Sequence, residues 1–226
     1  MSLNPNPKLL LSFTMWDIIF AVLGFLYVMI TIALSKKWHS FLISKGFREN
    51  QAIFSSRKFL HIWSAGVMSL LVPFLFSAPL IPLIMGIVLA LFTYLPHRKG
   101  ELMDWFQVKE NIAEVYFCLM WGVTIYVMWV LFNNPWYGAL VTLYFSVGDA
   151  IAGEIRNFVY GYKTKSVLGN IGMFLFCAPI SYIAVGWIGI VASLAVTLVE
   201  LYEGLDDDLT IPITAILVFV LYGLLF

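Results

Sequence analysis

Long apolar runs alternate with short polar stretches along almost the whole chain. A membrane-spanning helix needs about 20 predominantly apolar residues, and the runs predict about eight such helices. Their approximate ranges are 16–34, 60–77, 79–95, 112–132, 136–153, 167–185, 187–201 and 211–226. The pattern therefore predicts an all-α, polytopic integral membrane protein.

The connections between these runs alternate between charged and uncharged. The charged ones are 35–59, 96–111, 154–166 and 200–210, and the uncharged ones lie near 77–79, 133–135 and 186. If the first charged connection is cytoplasmic, twelve of the 13 Lys/Arg and twelve of the 13 Asp/Glu residues fall on that side, all except Lys8 and Asp17. The basic residues follow the positive-inside rule, whereas acidic residues contribute little to orientation. This arrangement places both termini on the non-cytoplasmic side and leaves the acidic residues to be explained.

The composition also indicates a polytopic membrane protein. Charged residues make up 12% of the chain and the mean hydropathy is +0.92, whereas a soluble domain carries about 25% charged residues. We expect a single membrane domain over residues 1–226, with the first helix and a cytoplasmic surface segment at 15–54 and a helical core at 55–226. In the surface segment, helically spaced Trp38, Phe41, Leu42 and Lys45 are typical of an amphipathic helix.

The remaining general features add little to the functional interpretation. The N-terminus has no basic region and no small-residue cleavage site, so we expect the first helix to be retained. Cys118 and Cys177 lie in apolar runs and are expected to be buried free thiols. No internal repeat supports an inverted-repeat transporter.

Asp149 is the most informative single residue. It lies near the predicted cytoplasmic end of the fifth apolar run, and ionisable groups at that depth are costly and usually functional. Gly153 and Arg156 follow at helical spacing on the same face. The small residues Gly148 and Gly153 are equally typical of close helix packing, but packing does not explain the aspartate.

Two further polar segments surround the next apolar runs. Lys163, Thr164, Lys165 and Ser166, followed by Gly169 and Asn170, could cradle phosphate at a helix start. The Walker spacing is absent, and by itself the segment is better explained as a positive-inside anchor. The second segment is acidic and contains Glu200, Glu203, Asp206, Asp207 and Asp208. Carboxylates are ligands for Mg²⁺, although a solvated acidic loop gives the same composition.

The start of the second span carries Arg57, Lys58 and His61 within one turn. His61 is interpreted equally well as an interfacial helix-end residue or as part of a phosphate site with the basic pair. The charges of 96–111, among them Arg98 and Asp104, indicate only a charged turn. Phosphate-binding cations and metal-binding carboxylates on one face together favour phosphoryl chemistry. Since no soluble nucleotide-binding domain is present, the second substrate is expected to be a lipid.

These segments resemble, in the same order, the motif series of the CTP-dependent lipid kinases. The family includes dolichol kinase, phytol kinase and the CTP-dependent diacylglycerol kinase. The matching motifs are Arg57-Lys58-x-x-His61, Gly148-Asp149-Ala150-x-Ala152-Gly153, Lys165-Ser166-x-x-Gly169-Asn170, and Glu200 followed by Asp207-Asp208-Leu209-Thr210-Ile211-Pro212. The resemblance covers about residues 55–226. It departs from the family at Asn170, where Ser is usual, and at Asp207-Asp208, where Asp-Asn is usual.

The resemblance implies a kinase that transfers the γ-phosphate of CTP to a polyprenol such as dolichol, with Mg²⁺ as the cofactor. The catalytic residues would be Asp149, Asp207 and His61, and the metal ligands Asp149, Glu200, Asp207 and Asp208. Nucleotide and phosphate binding would fall to Arg57, Lys58, Gly148, Gly153, Lys163, Lys165, Ser166, Gly169, Asn170 and Thr210. The expected partners are CTP, a lipid alcohol and the bilayer, without nucleic acid.

Two other functions remain as alternatives. The related phosphatidate cytidylyltransferases also use CTP and a Gly-Asp motif, but their C-terminal Lys-Arg…His-Gly-Gly…Asp-Arg signature has no counterpart in this chain, which favours the kinase. A small transporter would require acidic residues at mid-depth in the spans, whereas these carboxylates cluster at one end. The compact chain favours a prokaryotic plasma membrane over the endoplasmic reticulum.

Overall fold

The computed structural model describes residues 3, 13–162, 164–202 and 206–225. Within these residues the chain is 83% helix and has no strand. The helices are α1 (Met15–Ser44), α2 (Glu49–Leu75), α3 (Leu80–Lys99), α4 (Ala113–Phe132), α5 (Pro135–Tyr160), α6 (Val167–Val185), α7 (Trp187–Glu200) and α8 (Asp207–Leu225). The all-α prediction is confirmed.

Seven of these helices are long and apolar enough to cross a membrane, counting only the described residues. The exception is α7, where the sequence predicts a span at 187–201 but the helix has 14 residues. At 1.5 Å per residue it extends about 21 Å, less than the roughly 30 Å hydrocarbon core. The architecture is that expected of a polytopic membrane protein, and many large apolar side chains are exposed on its outer surface.

The first polar stretch is organised differently from the predicted surface helix. α1 continues unbroken to Ser44, and α2 begins at Glu49, so the expected boundary at position 54 lies inside a helix. Trp38 packs against α2, stacking on Phe59 and donating a hydrogen bond to Ser55 Oγ at 3.1 Å. The pattern at 35–45 therefore reflects contact between two helices.

α5 occupies the centre of the bundle. Its most apolar stretch is 78% buried, compared with 22% for α1. α5 packs against α2, α4, α6 and α8, and Tyr144 donates or accepts a 2.8 Å hydrogen bond with Ser181 inside the core. A residue near the end of α5 is consequently surrounded by other helices rather than by lipid.

Two helices contain a π-helical turn, at His61–Gly66 in α2 and at Tyr144–Gly148 in α5. The two turns touch each other, since a Cβ at Gly66 would lie 2.5 Å from Val147 Cγ2. Such turns insert an extra residue and are frequent at functional sites. In this bundle they bring His61 and Asp149, at the edges of the two turns, into one region.

Candidate functional site

A buried ion pair joins α2 to α5. Lys58 Nζ lies 2.5 Å from Asp149 Oδ2, and the two side chains are only 10% and 1% exposed. The approach is set by Gly153, because a Cβ there would come within 2.7 Å of Lys58 Cε. The face shared by Asp149 and Gly153 therefore accommodates the lysine side chain along its path to the carboxylate.

A second set of ion pairs joins α5, α7 and α8 through Arg156 and through Lys165, which lies just before α6. Glu200 is fully buried at the end of α7 and accepts hydrogen bonds from Arg156 and, at 3.1 Å, from Lys165. Lys165 also donates to both carboxylate oxygens of Asp207 at 2.7 Å. Together with the Lys58–Asp149 pair, these ion pairs form one charged cluster. The face of α5 that Asp149 and Arg156 share carries a residue from each set.

The carboxylates converge closely enough to hold a cation. Among the described residues, ligand atoms of Asp149, Glu200 and Asp207 all lie within 4.8 Å of one another. The same holds for a second group, His61, Asp149 and Asp208. Asp149 Oδ1 and Glu200 Oε2 are buried and make no hydrogen bond within the described part of the chain. Free, buried carboxylate oxygens at this spacing fit Mg²⁺, which prefers oxygen ligands.

The charge balance of this cluster also favours a cation. Three cations (Lys58, Arg156, Lys165) pair with Asp149, Glu200 and Asp207, and Asp208 adds a fourth carboxylate that is 6% exposed. Among these seven side chains, carboxyl groups therefore outnumber cationic groups by one. Burying ion pairs costs desolvation energy and is a poor way to gain stability. A cluster of this kind is better suited to binding a charged ligand than to holding helices together.

Several predicted phosphate-binding residues have packing or capping roles. A Cβ at Gly148 would lie 2.6 Å from Cys177 Sγ, and one at Gly169 would lie 2.8 Å from the Ala152 carbonyl oxygen. Ser166 caps α6 by accepting a hydrogen bond from Gly169 N at 3.2 Å. These contacts bring α5 and α6 together, as expected of small residues between membrane helices.

The remaining predicted residues are placed as follows. Asn170 is buried and donates to the Thr197 carbonyl at 2.5 Å, while its Oδ1 has no partner among the described residues. Thr210 donates to the Asp206 carbonyl at 3.2 Å, one turn earlier. Lys163 and Glu203 lie outside the described residues, and the phosphate-binding role of Lys163 stays a prediction.

His61 lies between the carboxylates and an aromatic surface. Its ring is 6% exposed and stacks on Phe117, with ring centres 3.7 Å apart and planes inclined by 13°. Its Nδ1 atom has no hydrogen-bond partner in the described part of the chain. An interfacial helix-end role is therefore less suitable for His61 than a role inside the site.

Sequence reasoning did not identify a second polar network, centred on Glu114 at the start of α4. Glu114 is 7% exposed, and its Oε1 lies 2.5 Å from His97 Nε2 and accepts from Gln107 Nε2 at 2.8 Å. Arg57 lies 3.9 Å from the other oxygen, Oε2. The only available signal was a glutamate in the first turn of an apolar run. The four charges interpreted as a turn in the 96–111 connection, Arg98, Lys99, Glu101 and Asp104, are exposed as expected.

No family model, curated protein or solved structure matches this chain. Its function is consequently inferred from the geometry of the charged cluster and from the motif resemblance.

Proposed function

We propose that the chain is a Mg²⁺-dependent lipid-alcohol kinase, which transfers the γ-phosphate of CTP to a polyprenol of the dolichol type. The observation that carries the proposal is the convergence of Asp149, Glu200 and Asp207 from three helices, beside Lys58 and Lys165. Phosphoryl transfer requires positioning and charge neutralisation rather than elaborate covalent chemistry. A buried group of paired carboxylates and lysines supplies the elements of both.

In this proposal Asp149, Glu200 and Asp207 would hold Mg²⁺, with Asp208, which groups with Asp149 and His61, as a further ligand. When bound, the ion neutralises charge on the phosphate oxygens. Lys58 and Lys165 now contact Asp149 and Asp207. The oxygens of a bound nucleotide compete for these ammonium groups and draw them toward the phosphates.

The lipid hydroxyl loses its proton as it attacks the γ-phosphorus, the bond from that phosphorus to the bridging oxygen breaks, and CDP leaves. One of the carboxylates or His61 accepts the proton, since these are the titratable groups of the cluster. The donor nucleotide is assigned from the motif resemblance. The charged end of the bundle would face the cytoplasm, in a prokaryotic plasma membrane.

The test is turnover by the purified full-length protein in nanodiscs with γ-labelled CTP, Mg²⁺ and a polyprenol. We expect label in the lipid, and CDP as the second product. Asp149→Asn should lower the rate at least about 100-fold, as expected when a group stabilising transition-state charge is removed. Asp104→Asn, an exposed position in the 96–111 connection, is the matched control and should retain full activity.

The leaving group separates the kinase from the main alternative. Release of pyrophosphate in the presence of a lipid phosphate would show a cytidylyltransferase and overturn the kinase proposal. Full activity of Asp149→Asn would overturn the site. Absence of nucleotide turnover, together with solute flux in liposomes, would instead support a transporter.

A further inference from the structure

A narrow apolar groove, with a cavity volume of about 70 Å³, lies between α1, α2, α3 and α4. Its walls are formed by Val28 and Ile32 of α1, Met68 of α2, Met85 and Leu89 of α3, and Trp121 of α4. Nearly all of this surface is hydrocarbon. The groove therefore suits a lipid chain rather than a polar metabolite.

One end of the groove is polar. Arg57, His61 and Glu114 line it together. Glu114 and His61 are more than nine-tenths buried, and Glu114 Oε2 and His61 Nδ1 make no hydrogen bond within the described residues. A buried polar atom without a partner costs free energy. Two such atoms at the end of an apolar groove indicate a ligand whose polar group completes their hydrogen bonding.

The polar groups select the type of head group. Arg57 Nη2 and Glu114 Oε2 are 3.9 Å apart, too far for a direct hydrogen bond. A hydroxyl fits between them because it can donate to the carboxylate and accept from the guanidinium. A fatty-acid carboxylate could accept from Arg57 but would be repelled by Glu114. The chemistry therefore favours an alcohol.

The groove encloses only the first part of a lipid chain. A second apolar groove, with a cavity volume of about 340 Å³, runs over the outer faces of α1 and α3 from Ile18 to Phe25 and past Ile84. Met85 lines both grooves. From Ile32 to Ile18, α1 rises about 21 Å at 1.5 Å per residue. Gly24 of α1 packs closely on Met68 and Met85 between the two grooves, since a Cβ there would lie 2.9 Å from Met68 Cε. A chain longer than the first groove would therefore continue in the bilayer, along the outer apolar surface.

The polar end adjoins the charged cluster. His61 lines the groove and also belongs to the group it forms with Asp149 and Asp208, whose ligand atoms lie within 4.8 Å of one another. We propose that this groove is the acceptor site. It binds a single-chain, long lipid alcohol with its hydroxyl between Glu114 and Arg57, its first methylene groups in the groove and the rest of its chain in the bilayer. The inference rests on the proposed kinase function, because it names the acceptor site of that reaction.

The first test measures binding without nucleotide or Mg²⁺. The full-length protein in nanodiscs is irradiated with a long-chain primary alcohol that carries a diazirine in its chain, and the labelled peptides are mapped. We expect label on α1 near Val28 and on α3 near Met85. The unlabelled alcohol should compete, whereas its methyl ether and the fatty acid of equal length should compete at least about tenfold less well. Label spread over the outer helices, or equal competition by all three lipids, would overturn the inference.

Two matched pairs of variants test the site itself. Glu114→Gln should weaken alcohol binding about tenfold, the difference between a charged and a neutral acceptor, and the exposed Glu110→Gln should not. Leu89→Trp should fill the groove and abolish specific labelling, whereas Leu91→Trp, at a side chain 57% exposed on the same helix, should leave it intact. Thermal unfolding of each variant verifies that it folds. Unchanged binding by folded Glu114→Gln and Leu89→Trp would overturn the inference.

The groove assignment and the kinase function can each be disproved without the other. If the alcohol labels the groove but no nucleotide donates phosphate to it, the kinase function is wrong and the groove assignment survives as a lipid site. If turnover occurs and folded Leu89→Trp retains full activity, the kinase function stands and the acceptor binds elsewhere.

Discussion

Lys58 and Asp149 form an ion pair almost completely enclosed by protein, and this makes their structural and functional roles separable. Removing one partner leaves a buried charge, so Lys58→Met or Asp149→Leu should each cost about 3–5 kcal/mol of stability. The double variant Lys58→Met/Asp149→Leu should regain most of that loss, because both charges are gone. Unfolding in mixed micelles measures the stabilities.

Activity should not return in the same double variant. If the pair merely held α2 to α5, restored stability would restore lipid phosphorylation. If Asp149 binds the metal, the stable double variant remains inactive. A stable and active double variant would show that the pair is structural only.

Asp17, at the opposite end of the bundle, provides the complementary case. Its carboxylate accepts hydrogen bonds of 2.6 Å from Thr14 N, Thr14 Oγ1, Ser77 N and Ser77 Oγ, which links the start of α1 to the connection after α2. Asp17→Asn places an amide group among these donors and should cost about 1–3 kcal/mol. Activity per folded molecule should be unchanged, since about 26 Å of helix, from Lys58 to the end of α2, separates Lys58 from Ser77. Loss of activity in the folded fraction would contradict this structural role.

Helix contacts in the site depend on glycines with different neighbours. The atom nearest to a Cβ at Gly153 belongs to the flexible end of Lys58, whereas at Gly169 it is the backbone oxygen of Ala152. Gly153→Ala should therefore shift the lysine within its ion pair and lower activity, and it should cost less stability than Lys58→Met because both charges remain. Gly169→Ala should force α5 and α6 apart and lower stability instead. The two variants are compared by unfolding and by turnover per folded protein, and the opposite ranking would contradict these packing contacts.

Some features of the fold and the site can be predicted from the sequence and others cannot, for physical reasons. Apolar runs and alternating charge identify the helices and which ends lie together, so Asp149, Glu200 and Asp207 are recognised before their contacts are known. The π-helical turns have no pattern of their own and are determined by packing between α2 and α5. The partners of Glu114 lie in separate polar segments of the chain, so their network is visible only in the folded structure. α1 and α2 both extend beyond their apolar runs. A helix can continue outside the hydrocarbon layer, where its side chains no longer need to be apolar.

At the scale of the whole molecule, the ion pairs show that the charged helix ends meet. They join α2 to α5 and α7 to α5, and Lys165, just before α6, pairs with both α7 and α8. These contacts require neighbouring ends to lie on one side. Asp17 and its partners lie at the other side, without cationic partners among the described residues. The carboxylate site is thus assembled only when α5, α7 and α8 pack together, since no single helix contributes more than two of its four carboxylates.

Orientation follows from this asymmetry and can be measured. The positive-inside rule predicts that the charged end faces the cytoplasm, where a nucleotide would enter. In a background where Cys118 and Cys177 are replaced by Ala, we introduce Lys99→Cys or Asn133→Cys, both at exposed positions. A membrane-impermeant maleimide should label Cys at position 133 in intact cells and Cys at position 99 only after permeabilisation. Labelling of both positions from one side would contradict the alternation of the helices. The reversed pattern would place the carboxylate cluster outside the cell, where no CTP is available to it.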